Sequence, residues 1–387
     1  MKITRKIFYF AGIIIFLTGC QTASVKDDIA AREKIAAMPV QIFTILEYAR
    51  LAPSSHNTQP WEVKIISENE VIIQSDSSRQ LSKVDPLARE LLQSIGAFWE
   101  SFRLAALAQG FTCESEILAK NPEDTDIIRI KLVPCEKSNE NSLFLMKERA
   151  TNRKPYSKAE LKPVASSLLK EISPGNIFYF TRKSVQGEWL AKCLVSAARK
   201  QVYDNEKQEE LSRWLRFSRK EAKQKQDGLT PEALGLSGFD SFLWYHFLNQ
   251  KKAMTISFRN RAVYNAGNQA DNCAGFIIIT GNDFSTSSLL EAGRQLLRLE
   301  LKCAELRIAF QPMSQLTEES PWDEELPEYL GIEKPVQFIL RLGYSVFSPE
   351  PGIRRNIEDF VSISQVKPKS SVVSKGGQSK EEYDGNP

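Results

Sequence analysis

Apolar residues recur at helical spacing from Val40 to Leu51, where Ile42, Ile45, Leu46, Tyr48 and Ala49 share one face. The next ten residues, Ala52 to Trp61, read APSSHNTQPW and break that period. Alternation then predicts strands over Trp61 to Ile66 and Val71 to Gln74. A loop from Ser78 leads into a helix from Leu87 to Gly110, with Asp85 placed to cap it and Pro86 at its first position. A strand over Ile127 to Val133 closes this stretch. From near Asn141 similar elements follow: a helix, the turn Ser173 to Asn176, a strand Ile177 to Thr181 and charged helical sequence over 185–225. The apolar strand Phe276 to Thr280 comes next, then a long helix from Ser288 to about Arg307 and a last strand, Val336 to Gly343.

The two long helices align at one constant offset. Leu92 pairs with Leu289, Gly96 with Gly293, Trp99 with Leu296, Leu104 with Leu301, Leu107 with Ala304 and Phe111 with Ile308. This predicts two copies of one domain, each with a helix closely packed at its glycine. The copies differ in a complementary way. The first has the polar loop APSSHNTQPW where the second has only Ser173 to Asn176. The second opens with Arg149, Thr151 and Arg153 and ends with Arg354-Arg355, and the first has no such arginines.

Composition changes this picture little. A chain of 387 residues suits two domains, and 42% hydrophobic with 26% charged residues is globular. The net charge of +3, with no basic block among aromatics, does not indicate nucleic acid. Cys113, Cys135, Cys193, Cys273 and Cys303 form no C-x-x-C, and His56 and His246 are the two histidines, so no zinc site of usual spacing is expected. Sequence cannot assign a disulfide. At the start, Lys2, Arg5 and Lys6 precede an apolar run, Ile7 to Leu17, that ends in Leu17-Thr18-Gly19-Cys20. That end resembles a bacterial lipobox, which implies a signal peptide over 1–19, lipidation of Cys20 and an exported, membrane-anchored protein on the periplasmic face. Gln21 favours the outer membrane. Residues 20–39 read as a tether, and 362–387, rich in Ser, Lys and Gly, as a disordered tail.

The loop APSSHNTQPW resembles the flavin-facing loop of the nitroreductase family, and Arg149-Ala150-Thr151-Asn152-Arg153 resembles its R-x-[ST]-x-[RK] motif. Arg354-Arg355 resembles the closing R-R. Together they resemble a twin-domain, Acg-like nitroreductase over roughly residues 40 to 361. The resemblance implies an α+β fold of two fused nitroreductase-like α/β domains, 40–140 and 141–361, forming a pseudo-dimer with mostly antiparallel sheets flanked by helices. It implies one site for flavin mononucleotide (FMN). Arg149 and Thr151 would hold the phosphate, completed by Arg354 and Arg355, and Arg153 would lie at the N1/O2 edge of the ring. Arg suits phosphate because its fork donates two parallel bonds. Pro53, Ser54, Ser55 and Asn57 would touch ring and ribityl chain, while Gln59 and Trp61 hold the loop. Glu291-Ala292-Gly293 resembles the step whose backbone N–H faces flavin N5, although Arg294 departs from the pattern. His56 is expected at the surface.

The implied activity is two-electron reduction of nitroaromatic- or quinone-like acceptors, with no obligatory catalytic side chain. The reductant would be NAD(P)H or, outside the cytoplasm, a quinol or a partner protein. A monomeric chain is expected. Residues 227–247, with Phe239, Phe242, Trp244, Tyr245 and Phe247, read either as a lid over the flavin or as ordinary core. A tight lid would suit a protein that stores or sequesters FMN. A third reading is a structural lipoprotein with a degenerate site.

Overall fold

The computed structural model describes residues 29–364. The expected signal peptide, Cys20 and residues 21–28 of the expected tether lie outside the described residues, as do 365–387. Among the described residues no helix is long and apolar enough to cross a membrane. The chain is α+β, with mostly antiparallel sheets and helices against them.

A helix over residues 29–36 (α1) leads to α2 (Val40–Ala49), which buries Ile42, Ile45, Leu46 and Ala49, the face its periodicity marks. After the loop come β1 (Trp61–Ser67) and β2 (Glu70–Ser75), an antiparallel hairpin. Helix α3 (Arg89–Ala108) follows, then β3 (Phe111–Ile117) and β4 (Asp126–Pro134). The helix start differs from the expectation. Pro86 lies outside α3, and the Asp85 carboxylate reaches forward to accept from the backbone N–H groups of Arg89 and Leu91. Asp85 still satisfies two orphan donors, but from four residues upstream. β3 has no counterpart among the predicted strands, because its side chains are mostly exposed and polar.

The second half holds α4 (Glu140–Glu148), α5 (Pro163–Lys170) and β5 (Ile177–Thr181). A long excursion follows: α6 (Val185–Tyr203), α7 (Asn205–Trp214), α8 (Arg219–Lys225), α9 (Phe239–Phe247), α10 (Gln250–Ala253) and α11 (Ile256–Asp271). The chain returns as β6 (Gly275–Thr280), α12 (Thr286–Glu305), β7 (Ala309–Pro312), α13 (Gln315–Glu318), α14 (Trp322–Leu330) and β8 (Val336–Gly343). β6 reads as an unbroken apolar run because it is buried on both faces, one against α6 and α14 and the other against α12.

The sheets share one topology. The first runs β3-β4-β2-β1 and the second β7-β8-β6-β5, so successive strands take equivalent places. The first sheet then gains a fifth strand. β9 (Val361–Ile363) crosses from the chain end and pairs in parallel with β1. Ile357, Phe360 and Val361 complete the first core around Trp61, Phe98 and Phe102. Each large side chain buried there contributes about 1.5–3 kcal/mol. The polar tail expected from Ser362 therefore starts two residues inside a strand.

α3 and α12 cross where the halves meet. A methyl group at Gly96 would fall 2.0 Å from the Leu290 carbonyl oxygen, and one at Gly293 would fall 1.9 Å from that of Gln93. Gln93 and Leu290 are themselves equivalent at the offset that relates the two glycines. The contacts are therefore exchanged copies of each other, as an isologous two-fold contact requires. Charge reinforces the crossing. The fully buried Glu100 of α3 meets Arg103 on its own helix and Arg294 and Arg298 of α12, at 2.6, 2.9 and 2.8 Å. Burial works to raise the Glu100 carboxyl, but these arginines outweigh it and hold it at about 2.

Candidate functional site

The loop after α2 is held in an unusual shape. His56, Asn57 and Gln59 all have positive φ, at 48°, 55° and 52°, a conformation that non-glycine residues keep only when surroundings impose it. The Ser54 hydroxyl accepts from the Gln59 N–H at 2.9 Å. The Asn57 amide donates to the carbonyls of Gly228 and Ile353, and its oxygen accepts from Arg354 at 3.1 Å. Gln59 donates to the Gln226 carbonyl and accepts from the Arg355 N–H. The first half's loop is thus braced by the second half's excursion and by its final segment.

The arginines converge on the same loop. Arg149 and Arg354 both donate to the Leu51 carbonyl, at 2.9 and 3.2 Å, so their guanidinium groups lie side by side. Arg149 is ion-paired with Glu300 at 3.0 Å, both side chains buried. Burial nonetheless raises the Glu300 carboxyl, and its Oε1 lacks a partner. Arg354 has only neutral acceptors, and its buried Nε–H has none. Burial, with Arg149 beside it, pushes the Arg354 guanidinium down to about 9. A buried donor without an acceptor costs about 1–3 kcal/mol, and an anion at this corner would relieve that cost. The donor set therefore fits a phosphate group.

Arg153 approaches the loop at a different point, beside His56. Its guanidinium donates to the Ala233 carbonyl at 2.7 Å, and burial pushes it down to about 10. It also acts on His56. Contrary to the surface position expected, His56 is half-buried, its buried Nδ1 has no partner, and burial with Arg153 pushes it down to about 4. At neutral pH His56 is an uncharged ring facing a cation. Thr151 is half-buried, and its hydroxyl has no hydrogen bond among the described residues. Arg355 is spent elsewhere. It donates to the carbonyls of Gln59, Trp61 and Asp359 and pairs with Glu62 at 2.8 Å, so it ties the final segment to β1. Pro53 and Ser55 stay on the loop, where the Ser55 N–H meets the Ser94 hydroxyl of α3.

The step Glu291-Ala292-Gly293 does not join the loop. Gly293 lies against the Gln93 carbonyl, Ala292 packs into the second core, and Glu291 pairs with Arg294 and Arg298. Mid-helix N–H groups are committed to the helix ladder, so the glycine there serves helix packing, and no backbone donor is free at that point.

Several supporting residues lie outside the predicted site. Arg341, fully buried on β8, donates to the carbonyls of Asn152 and Lys154 and so pins the segment that carries Thr151 and Arg153. A charged residue in the middle of an apolar strand was the signal. Glu300 sits four residues after Leu296 on the buried face of α12, a second such signal. Glu90 of α3 is buried beside Glu318, Ser55 and Ser314, and burial with the Glu318 carboxylate raises its carboxyl. No local pattern announced that cluster.

The excursion settles the role of residues 227–247 in part. Gly228 donates to the Asn57 carbonyl, Asp227 pairs with Arg79, and Ala233 meets Arg153, so its leading segment lies on the loop. The aromatics divide. Trp244 is core with Leu215, Leu229 and Ala253, and Tyr245 bonds Glu232. Phe239, Phe242 and Phe247 face outward. Two clefts among the described residues, of about 450 and 420 Å³, are lined by the β5 edge and by the outer face of α6, and no loop or arginine residue lines either. The five cysteines among the described residues are free.

Against known proteins, residues 24–86 match the family model described as "Putative TM nitroreductase", a span that includes the loop. No curated protein matches the chain. Solved structures similar to it include the FMN-dependent nitroreductase NfnB from Mycobacterium smegmatis in complex with NADPH, at 14% identity over 58% of this chain and 99% of that one, with a TM-score of 0.36. A nitroreductase with bound FMN from Desulfitobacterium hafniense is 12% identical over 58% and 98%, with a TM-score of 0.33. A nitroreductase-like family protein from Bacillus cereus is 12% identical over 60% and 100%, also at 0.33.

Proposed function

We propose that this chain is an FMN-dependent oxidoreductase of the twin-domain nitroreductase type, with one cofactor site where its two halves meet. The observation that carries the reading is the convergence of the first half's loop with Arg149, Arg153 and Arg354 of the second, Arg354 being half-buried, with a buried unpartnered Nε–H and no acid of its own. The family-model match over the loop supports it.

Arg354 and Arg149 would hold the phosphate, with the Thr151 hydroxyl beside them, each charge-assisted bond adding about 1.5–3 kcal/mol. Bound FMN would supply two-electron transfer to a nitroaromatic- or quinone-like acceptor. Pro53, Ser54 and Ser55 would shape the wall against the ring, and Asn57 and Gln59 keep that wall in its strained form. Arg153 would place positive charge at the ring's edge, favouring the reduced state. Neutral His56 beside it leaves that charge uncompensated. The reductant is a nicotinamide nucleotide or, for a chain anchored through Cys20 outside the cytoplasm, a membrane quinol or partner protein.

A second reading, storage or sequestration of FMN, is favoured by the bonds from Gln226, Gly228 and Ala233 that close the excursion over the loop. Two spectra separate the readings. Purified protein should show a flavin band, and its released cofactor should be FMN. Anaerobic bleaching by NAD(P)H or a quinol supports the enzyme, whereas a band that resists every reductant of these kinds supports storage. Colourless protein that does not take up FMN rejects both.

A further inference from the structure

Helix α9 turns its polar economy inside out. Its inward positions are Ser241, Trp244 and Tyr245. Its outward side carries Phe239, Phe242, Leu243, His246 and Phe247, with Phe239, Phe242 and Phe247 exposed by 71, 48 and 57%. Phe239 stacks on Phe242, and Phe242 on His246 with ring centres 4.0 Å apart, so the apolar surface is continuous. An exposed row of large aromatics has no partner within the described fold.

Its rim is basic. Lys252 reaches back to the Phe247 carbonyl at the end of α9, and Arg219 lies 5.4 Å over the Tyr245 ring. Lys220, Lys223 and Lys251 are exposed nearby in sequence, against two exposed acids, Asp240 on α9 and Glu350 facing Tyr245. A second copy seated on this face would bring like charges together, because a two-fold contact pairs a patch with itself. An anionic bilayer surface meets both demands: aromatic rings enter the acyl boundary, and lysines and arginines stay at the headgroups. Lipidation expected at Cys20 would hold the chain at a bilayer.

We propose that the outward face of α9, with its basic rim, is a second membrane contact that docks the excursion onto anionic phospholipid. The proposal is independent of the flavin reading. The test is amide hydrogen exchange on the full-length chain reconstituted in vesicles of phosphatidylcholine, with or without phosphatidylglycerol. Exchange over 239–247 should slow about tenfold or more on the phosphatidylglycerol vesicles and much less on the others. The Phe239→Ser/Phe242→Ser/Phe247→Ser variant should lose this slowing while β8 exchanges as before, which shows the fold intact. Unchanged exchange over 239–247 on anionic vesicles would overturn the proposal. So would equal slowing on both vesicles, or slowing without lipid that grows with protein concentration, the signature of a second copy.

Discussion

The two sheets are built alike, yet between their first and second strands they differ most. In the first half, β1 turns directly into β2 through Glu68 and Asn69. In the second, the same place opens into residues 182–274, six helices that travel back to cover the other half's loop. The converse holds before the first strand. There the first half has a strained, serine-rich loop, and the second has a four-residue turn. A symmetric pair would carry two equivalent sites. Here one half carries the loop and the other carries the guanidinium groups and the cover, so the proposed site would be single and asymmetric.

The sharpest way to break this division is at the arginines. Arg149→Ala with Arg354→Ala should weaken FMN binding about 10²–10⁴-fold, from roughly 3–6 kcal/mol of lost charge-assisted bonds. Equilibrium dialysis measures it. Because Arg149→Ala also strands buried Glu300, Arg354→Met alone is the cleaner partner, with circular dichroism expected to stay native. Next in size is the charge cluster between the halves. Glu100→Gln leaves Arg103, Arg294 and Arg298 facing a neutral amide, and should cost about 3–5 kcal/mol in urea unfolding. The same residue sets a pH dependence. Its folded carboxyl lies at about 2 against an ordinary 4.5, so its stabilisation is complete above 4.5 and is lost as pH falls through 2. The Glu100→Gln variant should show a flatter acid limb over that window.

Smaller effects refine the symmetry. Gly96→Ala and Gly293→Ala each press a methyl group onto the opposing helix backbone and should each cost about 2–3 kcal/mol. The costs should agree within about 0.5 kcal/mol if the contacts are two-fold copies, and a large inequality would break the comparison. The least effect is at the cover. Gln226→Ala removes the bond from the Asn356 N–H and should cost about 1 kcal/mol, read as faster flavin release in stopped-flow with little change in thermal midpoint.

What sequence revealed of this arrangement was local or repeated. The glycines marked the crossing because close helix approach excludes a Cβ, and that requirement leaves a residue-type trace. The serine-rich loop and the arginines were visible as composition, and the structure brings the loop to Arg149, Arg153 and Arg354. The assignment of Gly293 to a flavin edge failed because one glycine cannot show whether it yields to a ligand or to another helix. β9 was hidden because a three-residue strand has no usable period, and its partner lies some three hundred positions away. His56 has the sequence of a loop-tip surface residue, since nothing local predicts that Arg153, about a hundred positions away, will face it.

The most direct test is a titration of FMN into the flavin-free chain, with bound cofactor counted per polypeptide. One FMN per chain, lost in the Arg354→Met variant while the fold is kept, is expected of a single site shared between unequal halves. Two per chain, none at all, or one that is indifferent to Arg354 would contradict it.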